Sequence, residues 1–226
     1  GAQDGRSPFE TVFIFCDRSD GVSAGEKIAL ENGLPYFSYD IRMFHVRRSI
    51  KRTVANKEGL AARRTYDRVA ETLVKAFHID LIALGGYMSY TTLGRCVNVH
   101  PADLSLLDSR GNRKYVGDQA VHDAICAGER VLRSSTLWTD EGVDTGPLLM
   151  VSDPVPVTLP EPLKDLVRDP DRLEQVVDHH QEQLKEAGDW KIFPRTIELI
   201  ARGRFAFDPQ GQVYLNGDPV PGGFRE

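Results

Sequence analysis

The 226-residue sequence is sparing with several residue types, and each shortage removes a class of function. Its three cysteines, Cys16, Cys96 and Cys126, lie far apart and form no C-x-x-C pair. Such spacing builds neither a disulfide framework nor a zinc site, and it suits a reducing, cytoplasmic setting. Positive charge is in short supply: 28 Lys and Arg against 33 Asp and Glu leave a net charge of −5. A protein that coats nucleic acid needs the opposite balance, so no nucleic-acid partner is expected. No apolar run approaches the ~20 residues that cross a bilayer, so no membrane contact is expected. Adjacent His179 and His180 face different sides of a helix, and no other ligand spacing is present, so no metal is expected. Internal repeats and low-complexity tracts are missing as well.

The chain is 41% hydrophobic, which is enough for a sizeable core. Residues 1–10 read as a leader and 11–226 as a single domain. Within it, 11–95 form an N-terminal half, 96–160 a second half, and 161–226 a tail of helices and a hairpin. Strands are predicted at 11–16, 34–38, 80–85, 96–100, 131–138 and 147–152. Helices are predicted at 22–32, 57–77, 119–127, 171–187 and 193–202. The helix over 57–77 has the clearest period, with Tyr66, Val69, Leu73 and Phe77 at three- and four-residue spacing. The basic stretch 42–52 carries too few apolar residues to assign. Alternating strands and helices predict an α/β fold with a largely parallel twisted sheet and flanking helices, ligands binding at strand C-termini.

The stretch VNVHPADLS, residues 97–105, carries the first chemical signal. Asn98 and His100 are two apart on a strand and share a face. A polar pair on an apolar strand needs internal partners or a cleft; a hydrogen-bonded core pair accounts for it as well as a site does. Asp144, in the glycine-flanked loop TDEGVDTG, adds a carboxylate. The loop follows a strand of the same predicted sheet, which puts an amide, an imidazole and a carboxylate at neighbouring strand ends. An amide donates to a developing oxyanion, an imidazole donates or exchanges a proton near neutral pH, and a carboxylate orients it or relays a proton.

NVHP, the helix AVHDAICAGE and TDEGVDTGPLL together resemble the folate-dependent formyltransferase family, and within it the phosphoribosylglycinamide formyltransferases. The likeness extends through FCDRSDGVSAGEKIALENGLPYF, IDLIALGGYM and ELIARGRFAFDPQGQVYLNGDPVP, most of the chain from residue 11. It implies a Rossmann-like formyltransferase fold and transfer of a formyl group from 10-formyltetrahydrofolate to the amine of a small, conceivably phosphorylated, acceptor. The family's catalytic Asn, His and Asp match Asn98, His100 and Asp144. Asn98 is implied to bind the formyl oxygen, His100 to stabilise the oxyanion, and Asp144 to move the proton through water. The folate is implied to lie along Gly85, Gly86, Tyr87, Met88, Ser89 and Tyr90 and along Thr139, Asp140, Glu141, Gly142 and Val143. The acceptor is implied to meet Arg63, Arg113, Lys114 and Gly117; solvated surface charge accounts equally well for Arg63 and better for Arg113 and Lys114.

Four departures from the family pattern stand out. The chain opens at what corresponds to the family's second strand, with no glycine-rich phosphate loop before it. It is therefore expected either to be part of a larger protein or to lack that anion site. The usual HPSLLP is replaced by the longer, more polar HPADLSLLDSRGNRKYVG. Leu137 stands where relatives carry a His, and SYTT follows GGYM where relatives often place an Arg. The competing readings are a formyltetrahydrofolate hydrolase, a sugar-amine formyltransferase, and an incomplete folate-binding module. A methionyl-tRNA formyltransferase is disfavoured, because the tail is too short for its RNA-binding domain.

Overall fold

The computed structural model describes residues 7–87 and 89–226. The chain divides into two compact units. One holds Phe9–Ile82 and Ser89–Gly94; the other holds Arg95–Glu226 with residues 83–87.

In the first unit, β1 (Ile14–Cys16), α1 (Gly25–Glu31) and β2 (Tyr36–Ser38) form a β-α-β turn, with β1 and β2 parallel and Ile14 opposite Tyr36. The basic stretch left unassigned by its sequence is a helix, α2 (Ile41–Arg48). Its apolar residues are few but well placed. Ile41 and Phe44 pack on Ala62 and Tyr66 of α3 (Lys57–Ala76). The Asp40 carboxylate caps α2 by accepting from the Arg42 and Met43 N–H groups. Inside α3, Arg63 pairs with Asp67 at 2.8 Å, both side chains only 4% exposed. Asp67 also accepts from the Thr92 amide and hydroxyl, which ties residues 89–94 to the helix.

The second unit is built on a sheet of β3 (Ile82–Leu84), β4 (Cys96–His100), β6 (Ser135–Trp138) and β7 (Leu148–Val151), in the order β3-β4-β6-β7. Between β4 and β6 come α4 (Ala120–Cys126) and β5 (Val131–Leu132). The α/β class read from the sequence is the fold observed. The strand expected over 131–138 is split in two. Ser134 donates its N–H to the Ser152 hydroxyl, and upstream β5 leaves to pair with β8 (Val155–Pro156). β6 runs against both of its neighbours, so β4 and β7 point the same way with one reversed strand between them.

The tail holds α5 (Leu163–Leu166), α6 (Pro170–Leu184) and α7 (Trp190–Ala201), then a three-stranded antiparallel sheet of β9 (Phe205–Phe207), β10 (Val213–Leu215) and β11 (Asp218–Pro219). The two long helices, expected to be separate, are joined by a π-helical turn, Lys185–Asp189. Pro194 inside α7 has no N–H for the carbonyl four residues back, and the widened turn lies just upstream of that defect. α7 is pinned to the sheet by a hydrogen bond of 2.8 Å between the Thr136 and Thr196 hydroxyls.

The π turn packs without clearance. A Cβ on Gly188 would sit 2.5 Å from the Ser134 hydroxyl, so only glycine fits. Next to it, burial raises the pKa of the Asp189 carboxyl; Ser134, His100 and Lys185 offset part of that cost. Among the described residues, neither Asp189 Oδ1 nor the Ser134 hydroxyl completes a hydrogen bond with the protein. The folded chain thus holds the Asp189 proton to higher pH than the unfolded chain does, so this group lowers stability progressively as pH rises above about 3.9. Asp189→Asn is therefore expected to unfold at a higher temperature than wild type at pH 7, with the difference fading toward pH 3, as read by thermal denaturation at both pH values.

Candidate active site

All three residues of the candidate catalytic set lie in the second unit. Burial along β4 does not alternate: Cys96 and Val97 are buried, Asn98 and Val99 are half-buried, and His100 is buried, at 5% exposure. Directly after His100 the chain turns, with Ala102 donating its N–H to the His100 carbonyl. The Ser135 hydroxyl then locks that turn by donating to the Ala102 carbonyl and accepting from the Leu104 N–H.

The sheet register changes how Asp144 reaches His100. His100 sits opposite Ser135 at the start of β6, and Val97 sits opposite Trp138 at its end. The loop after Trp138 therefore leaves from the wrong end of β4, not from a shared strand end as the sequence suggested. It has to fold back, and its construction does this. The Asp140 carboxylate accepts from the Gly142 N–H and the Thr145 hydroxyl. Trp138 donates its N–H to the Pro147 carbonyl, closing the base. Asp144 itself takes the left-handed conformation, φ +53°, which Asp tolerates better than most residues.

The result is a three-way contact. His100 Nδ1 lies 3.4 Å from Asp144 Oδ2. His100 Nε2 lies 3.0 Å from the Tyr115 carbonyl, an acceptor only, so Nε2 carries the hydrogen. Gly117 donates its N–H to Asp144 Oδ2 at 2.8 Å. The 115–117 stretch thus holds both partners through its backbone, a role no side-chain motif announces. The Asn98 side chain, by contrast, makes no hydrogen bond with the protein among the described residues, so its amide is available to a ligand.

The other expected site residues are distributed over both units. Gly85 and Gly86 follow β3, with Gly86 at φ +64°. Tyr87 is half-buried beside them, and Met88 lies outside the described residues. Ser89 and Tyr90 belong to the first unit, where the Ser89 hydroxyl donates to Asp17 and accepts from Arg52. In the β6–β7 loop, Glu141 and Val143 are exposed. Thr139 commits its N–H to the Cys96 carbonyl and Gly142 its N–H to Asp140, so neither amide is left for a pterin edge.

The three cations expected at the acceptor are all turned to protein partners. Arg63 is buried against Asp67 in the first unit. Lys114 pairs with Glu129 at 2.7 Å. Arg113 donates to the carbonyls of Asp144 and Gly146. Asp189, a buried carboxyl whose pKa is eased downward by His100, had no local signature in the sequence. Among the described residues no group of three or more His, Cys, Asp or Glu is arranged to hold a metal. No described helix is long and apolar enough to cross a membrane.

Loop geometry also explains its glycines. A Cβ on Gly146 would lie 1.9 Å from the Trp138 carbonyl oxygen, which cannot yield without opening the loop base. Gly146→Ala is expected to destabilise the protein by roughly 1–3 kcal/mol in urea unfolding. Gly94→Ala, which meets nothing within 4 Å, is the control and is expected to stay within about 0.5 kcal/mol.

The Formyl transferase family model matches residues 42–175, a span that includes Asn98, His100 and Asp144. The trifunctional purine biosynthetic protein adenosine-3 of Drosophila melanogaster is 32% identical over 164 residues, 70% of this chain and 10% of that protein's length. The structure of phosphoribosylglycinamide formyltransferase from Coxiella burnetii aligns with a TM-score of 0.63 at 21% identity, over 96% of this chain and 85% of the other. A formyltetrahydrofolate deformylase structure from Pseudomonas syringae aligns with a TM-score of 0.58 at 15% identity, over 91% of this chain and 56% of the other. With the family match covering more than half of its length, the chain belongs to the formyl transferase family.

Proposed function

We propose that this chain transfers a formyl group from 10-formyltetrahydrofolate to the amine of a small acceptor, and that Asn98, His100 and Asp144 do the chemistry. One observation carries the reading. An uncommitted amide, Asn98, stands two residues before an imidazole whose Nδ1 faces a carboxylate at 3.4 Å. The family match and the likeness to purine-pathway relatives support it. On this reading Gly85, Gly86, Tyr87, Asp140, Glu141 and Val143 line the folate side of the site. The acceptor is an amine whose recognition does not fall to Arg63, Arg113 or Lys114, since each is already engaged.

The acceptor nitrogen attacks the formyl carbon, forming a C–N bond and turning the carbonyl oxygen into an oxyanion. The Asn98 amide donates to that oxygen. A proton on His100 Nδ1 is held by Asp144 only at long range, so it can swing to the oxyanion as charge develops. Nε2 stays anchored to the Tyr115 carbonyl, which keeps the ring from rotating away. Asp144 Oδ2 is engaged by Gly117 and His100, leaving Oδ1 to take the proton that the attacking nitrogen must lose. As the carbonyl re-forms, the bond to N10 of the folate breaks and that proton, passed on through water, ends on N10.

The test is to supply 10-formyltetrahydrofolate with candidate amines and measure N-formyl product and formate separately. Wild type is expected to formylate an amine, and Asn98→Ala, His100→Ala and Asp144→Asn are each expected to slow it by roughly a hundredfold or more. Formate as the only product points instead to a hydrolase, and near-wild-type rates in all three variants contradict the assigned roles.

A further inference from the structure

We propose that Arg113 is a positioning residue for Asp144, not an acceptor contact. The inference rests on the reading of Asp144 given under Proposed function. The guanidinium forks onto two main-chain carbonyls two residues apart, those of Asp144 and Gly146, the latter at 2.8 Å. Fixing the Asp144 carbonyl fixes the plane of the peptide that follows it. Together with the +53° φ, this sets the direction in which the carboxylate leaves the chain. Among the described residues, the side chain alone has one firm hold, the Gly117 N–H. Without the backbone clamp, a left-handed Asp in a glycine-flanked loop has easier conformations to relax into.

The clamp is delivered by a built element. Leu107 bridges Arg113 across a tight turn. The Asp108 carboxylate organises that turn by accepting from the Arg110 and Asn112 N–H groups, and Gly111 takes φ +82°. This turn is the longer, more polar segment that replaces HPSLLP in the sequence. Its far end therefore supplies, within five residues, the Arg113 fork on the Asp144 backbone, the Tyr115 carbonyl on His100 and the Gly117 amide on the Asp144 carboxylate. Burial lowers the pKa of the Arg113 guanidinium, and the Asp144 and Asp140 carboxylates offset part of that cost. A lysine delivers one compact charge and cannot bridge two carbonyls in that planar geometry.

Two measurements on Arg113→Ala and Arg113→Lys decide this. In formyl-transfer kinetics both variants are expected to lose kcat, by on the order of a hundredfold for a misplaced group, with acceptor KM near wild type. Added guanidinium ion is expected to restore part of the rate to Arg113→Ala and none to Arg113→Lys. Independently of turnover, hydrogen exchange across residues 139–146 is expected to quicken in both variants. A raised acceptor KM with unchanged kcat, or exchange at the wild-type rate, overturns the assignment. If wild type itself transfers no formyl group, the proposed function fails, while the exchange measurement still decides whether Arg113 holds the loop.

Discussion

The 113–117 segment, which holds Asp144 against His100 through the Tyr115 and Gly117 backbone and the Arg113 guanidinium, is the constraint on which the site depends. Neither side chain is placed by its own element alone. β4 delivers His100 at the edge of a turn, and the 139–146 loop starts from the opposite end of that strand. The loop's own hydrogen bonds fold it back, and the Tyr115 carbonyl, the Gly117 amide and the Arg113 guanidinium then hold the two side chains together. Each contact ties one side chain to main chain, and together they keep a 3.4 Å approach in place without a tight ion pair.

The rest of the second unit serves the same placement from below. Ser135 locks the turn after His100, and Thr136 fastens α7 beneath the same strand. The π turn brings the buried Asp189 carboxyl within electrostatic range of His100. A buried carboxyl without full hydrogen bonding costs stability, and the π turn that carries it is of a kind frequent near functional positions. Asp140, Gly142 and Gly146 do for the loop what Ser135 does for β4.

Much of this was legible in the residues. Asn98 and His100 declared themselves as misplaced polar groups on an apolar strand, and the flanking motifs named the family. The period of α3 announced a helix, but not its buried face: Tyr66 is buried while Val69 and Phe77 are exposed, and the buried side is Gly59, Ala62, Arg63, Tyr66, Asp67 and Ala70. What was hidden depended on long-range partners. α2 carries few apolar residues and forms because Asp40 caps it and Tyr66 receives it. The break at Ser134 follows from a hydrogen bond to Ser152, 18 residues on. Arg113 and Lys114 looked alike as loop cations, yet one meets two carbonyls and the other meets Glu129. Sequence spacing carries no information on which partner a long side chain will find.

The account treats His100 and Asp144 as one unit held in a shared frame, and coupling between them tests this most directly. Formyl-transfer rates of His100→Ala, Asp144→Asn and the double variant form the cycle. If the pair acts as a unit, the double variant is about as slow as the slower single variant. If the two losses multiply, each residue acts alone, and the frame described here is not what makes the site work.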